Sequence, residues 1–166
     1  ILLGLVGSEM CIRDSHITTA FPEVRLKGYI EMRGADSGSW GSICALPALW
    51  VGLLYDEESL NAAEALVSGI SAQQVEAARL SALTDGLDGQ FAGQPMLAIA
   101  REMVALSEAG LARRQISDSK GSDETQYLNP LQEILTTGKT NADIMLEHYN
   151  SDWNRDVRHL FKLYHY

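Results

Sequence analysis

Thirteen consecutive residues, Ile43 to Tyr55 (ICALPALWVGLLY), are apolar on every side. A helix of that kind is stable only when it is surrounded, so the run predicts a buried core helix with Trp50 near the centre of the packing. Pro47 suits the opening turn of such a helix, where a missing N–H is tolerated. The run falls short of the roughly 18 to 20 apolar residues that a membrane-crossing helix requires, so no transmembrane segment is expected.

The residues around this run divide the chain. From His16 to Arg33, HITTAFPEVRLKGYIEMR is rich in β-branched and aromatic residues and alternates from Arg25 onward, which reads as extended structure. Gly34, Gly38 and Gly41, with serines between them, end it. Helical signals follow. Asp56 is placed to cap a helix through Val67, Ser71 and Gln74 form a capping-box pattern, and Leu80, Leu83 and Leu87 fall on one face. After the turn DGLDGQFAGQ, Pro95 opens a helix striped by Met96, Ile99, Met103, Leu106 and Gly110. Residues 115–123 read as a surface loop, and three shorter helices are expected near 124–137, 141–149 and 152–164, with Gly138 ending the first and Thr140 capping the second. The expected class is therefore a predominantly helical α+β fragment. One or two N-terminal strands precede a helical region over 43–166. A lone strand has no ladder to join, so 16–36 reads as a piece of a larger sheet.

Composition narrows the partners. Thirteen basic residues against 22 acidic ones leave a net charge of −9, which argues against a protein that coats nucleic acid. Residues 1–15, ILLGLVGSEMCIRDS, resemble a translated sequencing adapter and are set aside as an artefact. Without them Cys44 is the one remaining cysteine, so no internal disulfide framework is expected.

The densest polar arrangement on a rigid element is Tyr29-Ile30-Glu31-Met32-Arg33. Period two puts Tyr29, Glu31 and Arg33 on one strand face, with the acid and base about 7 Å apart by strand rise. A carboxylate and a guanidinium so placed can hold magnesium and the phosphate that the metal carries. The same pattern also fits an ordinary cross-strand charge pair. Other candidates are weaker. His148, Asp152, Asp156 and His159 approximate helical spacing, but Asn150 and Ser151 interrupt them, and a metal site needs converging geometry. There is no G-x-S-x-G elbow and no phosphate-cradling G-x-x-x-x-G-K-[ST]. Met96, Met103 and Met145 read as core filler.

The block HITTAFPEVRLKGYIEMRGAD, followed by W-x-x-I-CALPALWVGLLYD, resembles the C-terminal part of glutamate–cysteine ligases of the plant and proteobacterial type. The later DETQYLNPLQEI and LEHYNSDW are similar to the family's closing helices. The resemblance implies a glutamine-synthetase-like sheet and an ATP- and Mg2+-dependent joining of the L-glutamate side chain to the amine of L-cysteine. It implies Glu31 as metal ligand, Arg33 as the catalytic residue facing the transferring phosphoryl group, and Thr18, Thr19 and Arg25 as substrate-binding. Cys44 matches a cysteine of a redox-regulating disulfide in plant members; with its partner segment missing, a buried thiol is expected. Gly28 stands where the family usually has arginine, and Ser39, Gly41 and Ser42 replace a proline and arginine pair, so no role is carried over there. The chain, 16–166, is expected to be inactive without the N-terminal part of the enzyme, and to be cytoplasmic, or plastidic if the source is a plant. The rival reading is a small helical interaction module without catalysis.

Overall fold

A computed structural model describes residues 23–26, 29–35 and 38–163, and these fall into two units divided between residues 36 and 37. In the first unit, strands β1 (Val24–Leu26) and β2 (Ile30–Met32) pair antiparallel with Arg25 opposite Glu31. A further bond from the Arg33 N–H to the Glu23 carbonyl, 2.8 Å, lengthens the ladder. The expected lone strand thus finds a partner in its own segment. Strands of three residues make a ladder too small to stand alone, so a hairpin of this size needs other structure to pack on.

The second unit is helical. Helix α1 (Trp40–Leu54) opens on Ser39, whose Oγ accepts from the Ser42 N–H. It therefore begins three residues before the apolar run, and Pro47 lies inside it rather than at its entry. Proline there cannot donate to the Ile43 carbonyl, so the helix does without one rung. Helices α2 (Glu57–Val67) and α3 (Ala72–Asp85) follow. Asp56 caps α2, and Ser71 with Gln74 closes a complete capping box on α3, both as expected.

The segment read as a plain turn contains a small hairpin. A 3-10 turn (Gly86–Asp88) leads into β3 (Gln90–Phe91) and β4 (Gln94–Pro95), joined through Ala92 and Gly93. Both linking residues have positive φ, 49° and 84°, as a tight primed hairpin turn demands. Helix α4 (Met96–Arg114) carries the expected stripe, but its buried residues are Val104, Ser107, Gly110 and Leu111. A 3-10 segment (Glu124–Leu128) runs into α5 (Asn129–Thr137), which Gly138 ends in the left-handed conformation. Helix α6 (Asn141–Asn150) is capped by Thr140 with Asp143.

The last helix, α7 (Arg158–Leu163), is shorter than the expected 152–164. Asn154 and Arg155 adopt positive φ, which breaks a right-handed helix there. Trp153 turns inward, 5% exposed, between the rings of His148 and His159 at centroid distances of 5.8 and 6.1 Å. No helix among the described residues is long and apolar enough to cross a membrane.

The core sits where α1 crosses α4. Gly52 and Gly110 face each other so closely that a Cβ on Gly110 would fall on the Gly52 carbonyl oxygen, and one on Gly52 would fall on Ser107. Ser107, fully buried, donates from Oγ to the Leu49 carbonyl at 3.0 Å. Ser59, also fully buried, donates to the Leu106 carbonyl at 2.7 Å and accepts from Arg113 at 2.8 Å. Ala48, Leu111 and Leu128 pack beside this contact.

One expectation fails against this arrangement. Trp50 is half-buried, with an enclosed indole N–H that finds no acceptor among the described residues, so the centre of the core is the small-residue crossing instead. Close backbones leave no room for an indole between them. Along α3, Leu80 and Leu83 are exposed and Ala78 is the buried residue. On α1 itself, Trp40 (76% exposed), Ile43 and Leu54 face outward, so the apolar run is covered on one side.

Gly110→Ala should cost about 2 to 3 kcal/mol in urea unfolding, the upper part of the range for overpacking, because backbone rather than a flexible side chain blocks the new methyl. A loss below about 0.5 kcal/mol, the surface scale, would mean that α1 and α4 lie farther apart. A second prediction concerns acid. The Arg113 guanidinium, at 2.6 Å, and then the Ser59 N–H hold the Asp56 carboxyl far below its ordinary value of 3.8. A depressed carboxyl stabilises the fold above its unfolded pKa, and that contribution is lost as pH falls through the carboxylate range toward the folded value. Asp56→Asn should therefore lower Tm at pH 7, and the gap to wild type should narrow as melts are taken down from about pH 5 to about pH 2.5, beneath the unfolded carboxylate pKa. A gap that stays constant would place the effect elsewhere.

Candidate functional site

Strands β1 and β2, with the residue that follows them, carry the described candidates Arg25, Glu31 and Arg33. The register of β1 and β2 places Arg25 directly across from Glu31. Directly opposed residues on an antiparallel pair share a face. The Arg25 Nε donates to Glu31 Oε2 at 2.7 Å, with the two side chains only 12% and 31% exposed. A charge-assisted bond of this length between half-buried groups is stronger than an open surface pair. Arg33, two residues beyond Glu31, is half-buried, whereas Tyr29 is exposed.

Period two sets Glu31 and Arg33 on one face, a pattern that an ordinary cross-strand charge pair also fits. The hairpin does form such a pair, but with Arg25, a residue assigned from the resemblance to substrate. Sequence carried a signal for it: Arg25 and Glu31 lie three residues either side of Gly28, the symmetry of a hairpin turn. Thr18 and Thr19 lie outside the described residues.

Cys44 is a free, half-buried thiol on α1, less enclosed than expected. It lines a cavity of about 280 Å3 with Pro47, Ala48, Val51, Leu111 and Tyr127, and Glu124 at its edge. Glu124 pairs with Arg114 at 3.0 Å. The C-terminal acid and histidine residues are engaged locally: His148 Nδ1 meets Asp152 at 2.9 Å, and Arg158 grips Asp156 at 2.7 Å, holding that carboxyl far below its ordinary range.

Among the described residues no three His, Cys, Asp or Glu side chains cluster as a metal cage. The donor chemistry of the hairpin suits a different arrangement. Magnesium is commonly held by one or two carboxylates together with substrate phosphates and water. Glu31 offers one such hard oxygen donor, and Arg33 offers a planar fork for phosphate oxygens. These residues fit a magnesium–nucleotide pair as part of its ligand set.

The model of glutamate-cysteine ligase family 2 matches residues 12–162. The chain belongs to that family. The family match includes both units and starts four residues inside the adapter-like segment. Among curated ligases, chloroplastic glutamate–cysteine ligase of Nicotiana tabacum is 44% identical over 149 residues, covering 90% of this chain and 27% of the relative. The Arabidopsis thaliana enzyme is 42% identical over the same share of each chain. Ligase A of Oryza sativa subsp. indica is 41% identical, with 29% of its length covered. The chain thus spans less than a third of the length of these ligases. A helical interaction module draws no support from these matches.

Proposed function

We propose that this chain is part of an ATP-dependent ligase that joins the side-chain carboxyl of L-glutamate to the amine of L-cysteine. The observation that carries the reading is the family match, which spans the hairpin bearing Glu31 and Arg33. In the reaction, the glutamate carboxylate attacks the γ-phosphorus of ATP and ADP leaves. The cysteine amine then displaces phosphate from the acyl phosphate and loses a proton, leaving the amide. Magnesium would supply charge neutralisation between the nucleotide and glutamate oxygens.

Glu31 would hold that cation. Arg33 would face the transferring phosphoryl group, where its planar donors follow charge spread over several oxygens. Thr18 and Thr19 are proposed at the substrate rim. The charge balance of the chain leaves nucleic acid without a role. Cys44, with a free thiol beside an open cavity, is proposed as the half of a redox pair whose other half lies elsewhere in the enzyme. Residues 1–15 are proposed as foreign to the enzyme, 16–166 as its C-terminal part. The relatives named above are chloroplastic, and a plastid, or the cytoplasm outside plants, is the proposed compartment.

The test uses the full-length enzyme that carries this segment. Glu31→Gln keeps shape and removes the charge that magnesium needs, so dipeptide formation should fall by orders of magnitude. Arg33→Lys keeps charge and loses the fork, so kcat should fall more than glutamate affinity, with a barrier raised by about 3 to 4 kcal/mol by analogy with loss of an oxyanion donor. Both variants remaining within about threefold of wild type, under 1 kcal/mol of barrier, would remove the strand from the active site. The 166-residue chain by itself should form no dipeptide.

A further inference from the structure

We propose that Arg25 is a positioning residue that sets the orientation of the Glu31 carboxylate for a divalent cation, and not a contact to substrate. The proposal rests on Glu31 being the metal ligand. Three observations carry it. The strand register puts Arg25 directly opposite Glu31. The Nε–Oε2 distance is 2.7 Å. The Arg25 side chain is only 12% exposed, so its guanidinium is held against Glu31 within the hairpin.

A glutamate carboxylate turns broadly about its last torsion, and a cation needs one of its oxygens held in a fixed direction. A carboxylate offers about four lone-pair directions, and a bond from Arg25 uses one. Partners that hydrogen-bond a ligating carboxylate are worth about ten- to a hundredfold in metal affinity. Two effects of Arg25 compete at this position. Orientation of Glu31 favours the cation, while the positive guanidinium repels it. The sign of the change on removing Arg25 tells which one dominates, and the short bond between half-buried groups favours orientation.

The experiment measures Mn2+ binding by electron paramagnetic resonance in the full-length enzyme with ADP present, alongside the KM for glutamate. Arg25→Gln should raise the Mn2+ Kd by about ten- to a hundredfold and leave the glutamate KM within about twofold. On a Glu31→Gln background the same substitution should change the Mn2+ Kd by less than about twofold, because a residue acting through Glu31 has nothing left to orient. Should Arg25→Gln fail to fold by circular dichroism, Arg25→Lys decides, since lysine keeps charge and loses the rigid fork; its Mn2+ Kd should rise at least about threefold. Tighter Mn2+ binding in either variant would make charge repulsion the dominant effect and overturn the proposal. An unchanged Mn2+ Kd with a raised glutamate KM would assign Arg25 to substrate and overturn it too. Unaltered Mn2+ binding in Glu31→Gln alone would fell the metal-ligand reading itself, and this proposal with it.

Discussion

The close crossing of α1 and α4 is the contact on which the helical unit depends. Gly52 and Gly110 let the two backbones approach, and Ser107 fills the remaining space while satisfying its hydroxyl on a carbonyl across the interface. Ser59 extends the contact to α2 and brings Arg113 onto Asp56 at the α2 cap. A chain of small residues and buried hydroxyls thus ties three helices together with little side-chain volume. Buried polar groups of this kind must be satisfied to be tolerated, and each of these hydroxyls has its acceptor. Leu111 and Leu128 then complete the apolar packing beside it.

This core explains which parts of the fold were legible in sequence. Caps are local, so Asp56, Ser71 with Gln74, and Thr140 could be read from side chains within four residues of one another. The α4 stripe was readable because its period is local too. The identity of the core centre was not, since an apolar run announces burial without saying which face is buried. Glycine and serine carry no hydrophobic signal, yet at this crossing their small size decides the geometry. The leucines of α3 illustrate the converse: periodicity was present, and no facing element covers Leu80 or Leu83 among the described residues.

The hairpin shows a similar division. Period two placed Glu31 and Arg33 on one face without any knowledge of a partner strand. The pairing of Glu31 with Arg25 depended on the register between β1 and β2, which single-strand spacing does not contain. A family resemblance names residue roles but is silent on such pairings. Register therefore sets the positioning role proposed above for Arg25 beside the substrate role that the resemblance implies.

The turn after α6 has a consequence for how the chain loses structure. Trp153 is enclosed between His148 and His159, and the backbone bonds of residues 153 and 155 return to His148 and Tyr149. The ring contacts and backbone bonds named here are short-range, centred on a single indole, and set against two residues in the left-handed conformation. Contacts of that kind define a small cooperative unit with its own opening equilibrium, below the global stability. Residues 151–163 can detach together, exposing their amides to exchange, while the glycine–serine crossing of α1 and α4 stays closed.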